Sequence, residues 1–259
     1  MRNQLNWLPI LILLAIPAAG QSPAANTHSA TARAEATPRT PDGKPDLSGD
    51  WLGPHVRNMT EGLAGGLPFT PAGELAYKKN LGDVIDPTSY CIYPGVPRIT
   101  NDGFPIEFVQ NSTRLAMLYE YMTVWRTIPI DGTGHPRNVD ASFMGNSVGK
   151  WDGDTLVIDT VGLKERAWLD SFAHPLSDAL HVIERWRRTD RQHMAYEVTI
   201  DDPKMYTKTW KHSKVFTLMK SGEGPLEYSC DENNKDRDEG HIGAGAHLDS
   251  NNYIENGVR

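Results

Sequence analysis

Five residues of this chain have side chains suited to moving protons: His135, His174, His181, Asp159 and Glu184. An imidazole titrates near neutrality, and a carboxyl group taken out of water is pushed up towards that range. Such a pair can serve as base and acid in a lyase, isomerase or hydrolase step on a small organic molecule. Glu184 takes the central role in this reading, with His174 or His181 as its partner, Asp159 orienting an imidazole and His135 beside them. No cofactor is needed for that chemistry. The alternative is a zinc or copper ion held by the three histidines with one position open. The chain contains neither His-Glu-x-x-His nor His-x-His, and metal-free chemistry is the main expectation. Trp168, Trp186, Tyr196 and Tyr206 offer an aromatic wall for a ligand, against the simpler reading that they fill a core.

The elements that must position these groups read as strands. Short β-rich runs at 105–111, 114–121, 125–130, 144–151, 155–162, 180–189, 193–201, 207–218 and 225–230 are separated by turn signals. They predict an antiparallel up-and-down meander closing into a barrel, mainly β and lipocalin-like, with a short N-terminal helix. The helix is expected over 70–79, with Thr70 as cap, Pro71 at its first position and lysines at its end. A three-residue loop at Asp190-Arg191-Gln192 sets Arg185 against Glu197 and avoids Glu184 facing Glu197. Glu184 then points inward with Val182, Trp186, Tyr196, Val198 and Ile200, and the simpler reading of it is an ion pair with Arg126 or Arg185. Asp152-Gly153 fits a type I′ turn, which places Val148 opposite Val157 and Asn146 opposite Asp159. Glu120 is expected to face Arg126 across a turn at 122–124. Alternation then puts the short turns 122–124, 152–153, 190–192 and 219–224 at one end. The long connections 131–143, 163–179 and 202–206 fall at the other, making a rim that gathers the histidines above Glu184.

The chain has 259 residues, 39% of them hydrophobic, and a formal net charge of −7, which disfavours nucleic acid and anionic membranes as partners. No phosphate-cradling glycine loop or dinucleotide fingerprint appears. Residues 1–20 carry a basic start, a short apolar run and small residues at a cleavage site, so they are expected to be a cleaved export signal, not a membrane anchor. Residues 21–44 read as an Ala/Thr/Pro-rich tether, 45–230 as the barrel domain and 231–259 as a polar, irregular tail. Export to a periplasmic or extracellular space predicts a Cys91–Cys230 disulfide, with two buried free thiols as the alternative.

The segments Pro41-Asp42-Gly43-Lys44-Pro45-Asp46-Leu47-Ser48-Gly49 and Ser147-Val148-Gly149-Lys150-Trp151-Asp152-Gly153-Asp154-Thr155-Leu156 resemble those of one family of exported bacterial proteins. Pro94-Gly95-Val96-Pro97-Arg98, His174-Pro175 and Leu226-Glu227-Tyr228-Ser229-Cys230 extend the resemblance over nearly the whole mature domain. It implies an exported β-rich domain, and it supplies no reaction; binding of a small molecule or substrate is read from the long-loop rim. The expectation is therefore a small-molecule-binding barrel with acid/base capability. A non-catalytic carrier and an envelope interaction module are the alternatives.

Overall fold

The computed structural model describes residues 36–82, 84–232 and 234, and the backbone of two short strands further on, β10 (His247–Leu248) and β11 (Ile254–Glu255). The expected export signal, the first part of the tether and most of the tail lie outside the described residues. Residues 36–44 of the expected tether are fastened to the barrel, Thr37 Oγ1 donating to Arg188 O at 3.1 Å and Arg39 pairing with Asp154 at 2.6 Å.

Nine strands form one sheet: β1 (Gly49–Leu52), β2 (Ile106–Gln110), β3 (Arg114–Tyr119), β4 (Val124–Pro129), β5 (Asn146–Asp152), β6 (Thr155–Val161), β7 (His181–Arg188), β8 (His193–Asp201) and β9 (Trp210–Leu218). Alternate residues of these strands are buried, as expected when one face lines a core. Helix α1 (Pro71–Gly82) follows its sequence signals: Thr70 Oγ1 accepts from the Gly73 N–H at 3.0 Å, and Lys79 sits in the last turn. A one-turn helix α2 (Arg98–Asn101), all four of its residues buried, lies in the connection between β1 and β2. Among the described residues no helix is long and apolar enough to cross a membrane.

The strand order β4-β3-β2-β1-β9-β8-β7-β6-β5 makes an up-and-down circuit, with β1 joining β9 through Trp51 opposite Leu218. Every ladder in it is antiparallel. An odd circuit of nine cannot be antiparallel throughout, so β4 and β5 run parallel and share no ladder. Side chains close this seam. Arg126 Nη2 on β4 donates to Ser147 Oγ on β5 at 2.9 Å. Gly149 lets β4 approach, since a Cβ there would lie 2.7 Å from Ile130 Cγ2.

The parallel seam corrects the expected arrangement of the loops. The connector 130–145 runs back along the outside of the barrel, because β4 ends where β5 does not begin. The turn at Tyr121–Thr123 consequently lies at the same end as 163–180 and 202–209, which we call the rim; the turns after β5 and β7 lie at the opposite end.

Three further expectations change. The hairpin between β5 and β6 turns on Gly153-Asp154, with Asp152 opposite Thr155 and Val148 opposite Asp159. Gly153 has φ +59° and Asp154 does not have positive φ, a type II′ pattern, so the I′ requirement for positive φ at two positions is absent. Arg126 opposes Met117 and is buried, while Glu120 Oε2 accepts the Leu226 N–H at 3.0 Å; the turn spans 120–123 and the register is three residues from the expected one. Residues 225–230 form no strand, because β1 already occupies the edge of β9. That stretch is held by the Cys91–Cys230 disulfide, across a sequence separation of 139, and by Thr123, whose Oγ1 accepts from the Tyr228 N–H at 2.9 Å.

Candidate functional site

The β7–β8 register has Glu184 opposite Val198 and Arg185 opposite Glu197, so Glu184 points inward as the charge argument requires. Its side chain is 0% exposed. Arg126 Nη2 donates to Glu184 Oε2 at 2.7 Å, to Ser147 Oγ at 2.9 Å and to Thr160 Oγ1 at 3.1 Å, while Arg126 Nη1 donates to Tyr119 Oη at 3.2 Å. Burial works against the guanidinium charge, and the adjacent Glu184 carboxylate more than reverses it, holding Arg126 above its ordinary value. Tyr196 Oη donates to Glu184 Oε1 at 3.5 Å, and Trp186 packs on Tyr196 with ring centroids 4.4 Å apart. Glu184, Trp186 and Tyr196 are thus members of a filled barrel core.

Two of the histidines lie on the outer wall. His181 Nε2 is 2.8 Å and His135 Nε2 3.2 Å from the same Asp159 Oδ1, while His135 Nδ1 is 2.6 Å from Asn146 Oδ1. This cluster ties the seam connector to β5, β6 and β7. Its outward direction follows from the alternation on β6, where Ile158 and Thr160 point inward. The shared opening expected for the three histidines is therefore corrected: connectivity brings His135, His181 and Asp159 together, and leaves them on the opposite side of the wall from Glu184. Among the described residues no group of three or more His, Cys, Asp or Glu is arranged to hold a metal ion.

His174 is at the rim, and its partner is a residue the sequence reading missed. Asp170 Oδ2 lies 2.7 Å from His174 Nδ1 and accepts the Met59 N–H at 2.9 Å, while Oδ1 accepts the Phe172 N–H at 2.9 Å. A carboxylate held this way orients the imidazole through its Nδ1 side. The His174 ring stacks on Tyr77 of α1 with centroids 5.0 Å apart, Tyr77 on Phe69 at 5.2 Å, and Phe69 on Tyr206 at 5.5 Å. Burial, then the charge of Asp170, pushes the Tyr77 phenol up. Tyr206 is a buried strut, its Oη donating to Pro175 O at 2.7 Å. Ala173 sits at φ +64°, a conformation disfavoured for a residue with a Cβ, and Asn80 Nδ2 of α1 donates to its carbonyl at 3.0 Å.

Beside this pair, which does not itself line it, α1, the segment 84–92 and residues 165–168 and 175–177 border a cleft of about 730 Å³. Trp168, Val84, Ile85, Tyr90, Ile92 and Leu176 give it an apolar wall, and Lys79, Asn80, Glu165 and Arg166 give it polar edges. Trp168 is the one expected ligand contact that borders it. Asp170, Lys79 and Arg166 had no signal beyond the spacing of four between Asp170 and His174, which in a loop dictates no contact.

A second set of perturbed groups lies beneath α2. Lys214 of β9 donates to Thr100 O at 2.7 Å and Pro54 O at 3.2 Å, and burial pushes its amine down to about 7. Asp102 is raised to about 6 by burial, with Arg98 opposing. Arg98 makes a paired contact with Asp86, 2.9 and 2.7 Å, in the same layer. These groups pin the rim segments to the barrel. Comparison with known proteins adds no further guide, since no family model, curated protein or solved structure matches this chain.

Proposed function

We propose that this is an exported protein that binds a small organic molecule in the rim cleft and not inside the barrel. The observation that carries the reading is the division of space: the interior is filled by the Arg126–Glu184 network and its aromatic neighbours, while a 730 Å³ cleft with an apolar wall stands open at the rim. The export-type start and the disulfide support the compartment. A second reading is metal-independent acid/base lyase or hydrolase chemistry; the Asp170–His174 pair would take over the part first given to Glu184, and it reaches the cleft only through the adjoining Pro175. A fragment library screened by ligand-observed NMR against the wild-type protein and Ala76→Trp tests the binding reading. Ala76 borders the cleft from a half-buried position on α1, where a large side chain fills the space without entering the core. Hits that vanish in the variant at unchanged melting temperature are expected; hits that persist overturn the reading.

A further inference from the structure

Resting on the cleft as the binding site, we infer that its ligand is an organic anion, an apolar body carrying a carboxylate or similar group. Lys79 and Arg166 border the cleft, and neither makes a hydrogen bond or ion pair with a described residue. Glu165 is the one acid in the lining, and it too makes no ion pair with a described residue, while the acids next to the lining are engaged. Asp178 pairs with Lys204, which Glu165 also attracts. Asp86 is held by Arg98 at 2.7 Å. Asp202 accepts the Ser177 N–H at 2.6 Å and Oγ–H at 2.7 Å, and the backbone N–H groups of Lys204 and Met205 at 3.2 Å. The cleft edge thus presents two unpaired cations against one unpaired acid, a surplus of one positive charge, and the neighbouring acids are already countered. The negative end of the α1 dipole also falls there, and Lys79 in the last turn offsets it. Trp168 and the apolar wall receive the rest of the molecule, and an aromatic or branched aliphatic body suits them.

The test uses a matched series: 3-phenylpropionate, 3-phenylpropionamide and 3-phenylpropylamine, titrated by NMR into wild-type protein, Lys79→Gln/Arg166→Gln and Ala76→Trp. The carboxylate is expected to bind about five- to tenfold more tightly than the amide, the size of effect that two solvent-exposed ion pairs allow. The amine should bind more weakly than either. The double variant should lose the preference and keep amide binding, with both cations exposed and remote from the core. An amide or amine that binds as well as the carboxylate overturns the anion inference while leaving the cleft reading in place. Binding of the whole series unaltered by Ala76→Trp removes the cleft as the site, and with it this inference. Absence of binding by all three probes also counts against an organic anion.

Discussion

Arg126 Nη2 lies 2.7 Å from Glu184 Oε2 across the barrel interior, with 2% and 0% of the two side chains exposed. The pair links β4 to β7, and through Ser147 and Thr160 it also reaches β5 and β6, spanning the one place where no backbone ladder closes the circuit. Removing one partner leaves the other charge buried, which costs about 3–5 kcal/mol. Glu184→Gln should lower unfolding stability in urea by about that much. It should leave ligand affinity at the rim within about twofold, since a ΔΔG below ~0.4 kcal/mol is expected for remote, independent sites.

The seam makes a second, steric prediction. Gly149 faces Ile130 and Ile128, whose Cγ2 atoms would lie 2.7 and 3.2 Å from any added Cβ. Gly149→Val should therefore wedge β4 from β5 and cost about 1–3 kcal/mol, as overpacking does. Hydrogen exchange should locate the loss in β4 and the connector 130–145, while β7 and β8 stay protected.

Asp170 accepts three hydrogen bonds with no exposure to solvent. Asp170→Ala orphans two backbone N–H groups and frees the His174 ring, at a cost of about 2–4 kcal/mol. The effect should be local, seen as faster amide exchange across 163–180. Substituting Asn, which keeps acceptor capacity, should recover part of it.

Stability should depend on pH through the layer beneath α2. For Lys214, with an amine near 7 in the folded chain and an ordinary value of 10.5, the unfolded chain binds more protons between those values, so stability rises with pH there. For Asp102, at about 6 against an ordinary 3.8, the folded chain binds more protons in between, so stability falls as pH rises through that window. His55 and His212 are both held below their ordinary value, by burial first and then by neighbouring cations, Lys214 among them. Urea unfolding across pH 4 to 10 should show Lys214→Met flattening the alkaline limb and Asp102→Asn the acid limb.

Much of the barrel was legible because alternation and turn chemistry act over a few residues. The Asp190–Gln192 loop is an example: like-charge avoidance between Glu184 and Glu197 selected the register that the fold adopts. The site was less legible because it depends on parity around the whole circuit. A four-residue strand, Gly49–Leu52, carries too short a pattern to be read as a strand, yet it takes the place expected for 225–230 and closes β9 onto β2, so the mismatch of an odd circuit falls between β4 and β5. That turns β4 and β5 parallel, sends the connector along the outer wall, and separates His135 and His181 from His174. The cleft depends further on α1 and 84–92 folding over the loop that carries Asp170, contacts that no local pattern encodes.

Chemical-shift mapping with 3-phenylpropionate on isotope-labelled protein tests the location of binding most directly. The account predicts saturable shifts at Asn80, Ile92, Trp168 and Leu176, with Ser147, Glu184 and Tyr196 unmoved. Shifts centred on the barrel interior or on the Asp159–His181 wall, with the cleft silent, would contradict it.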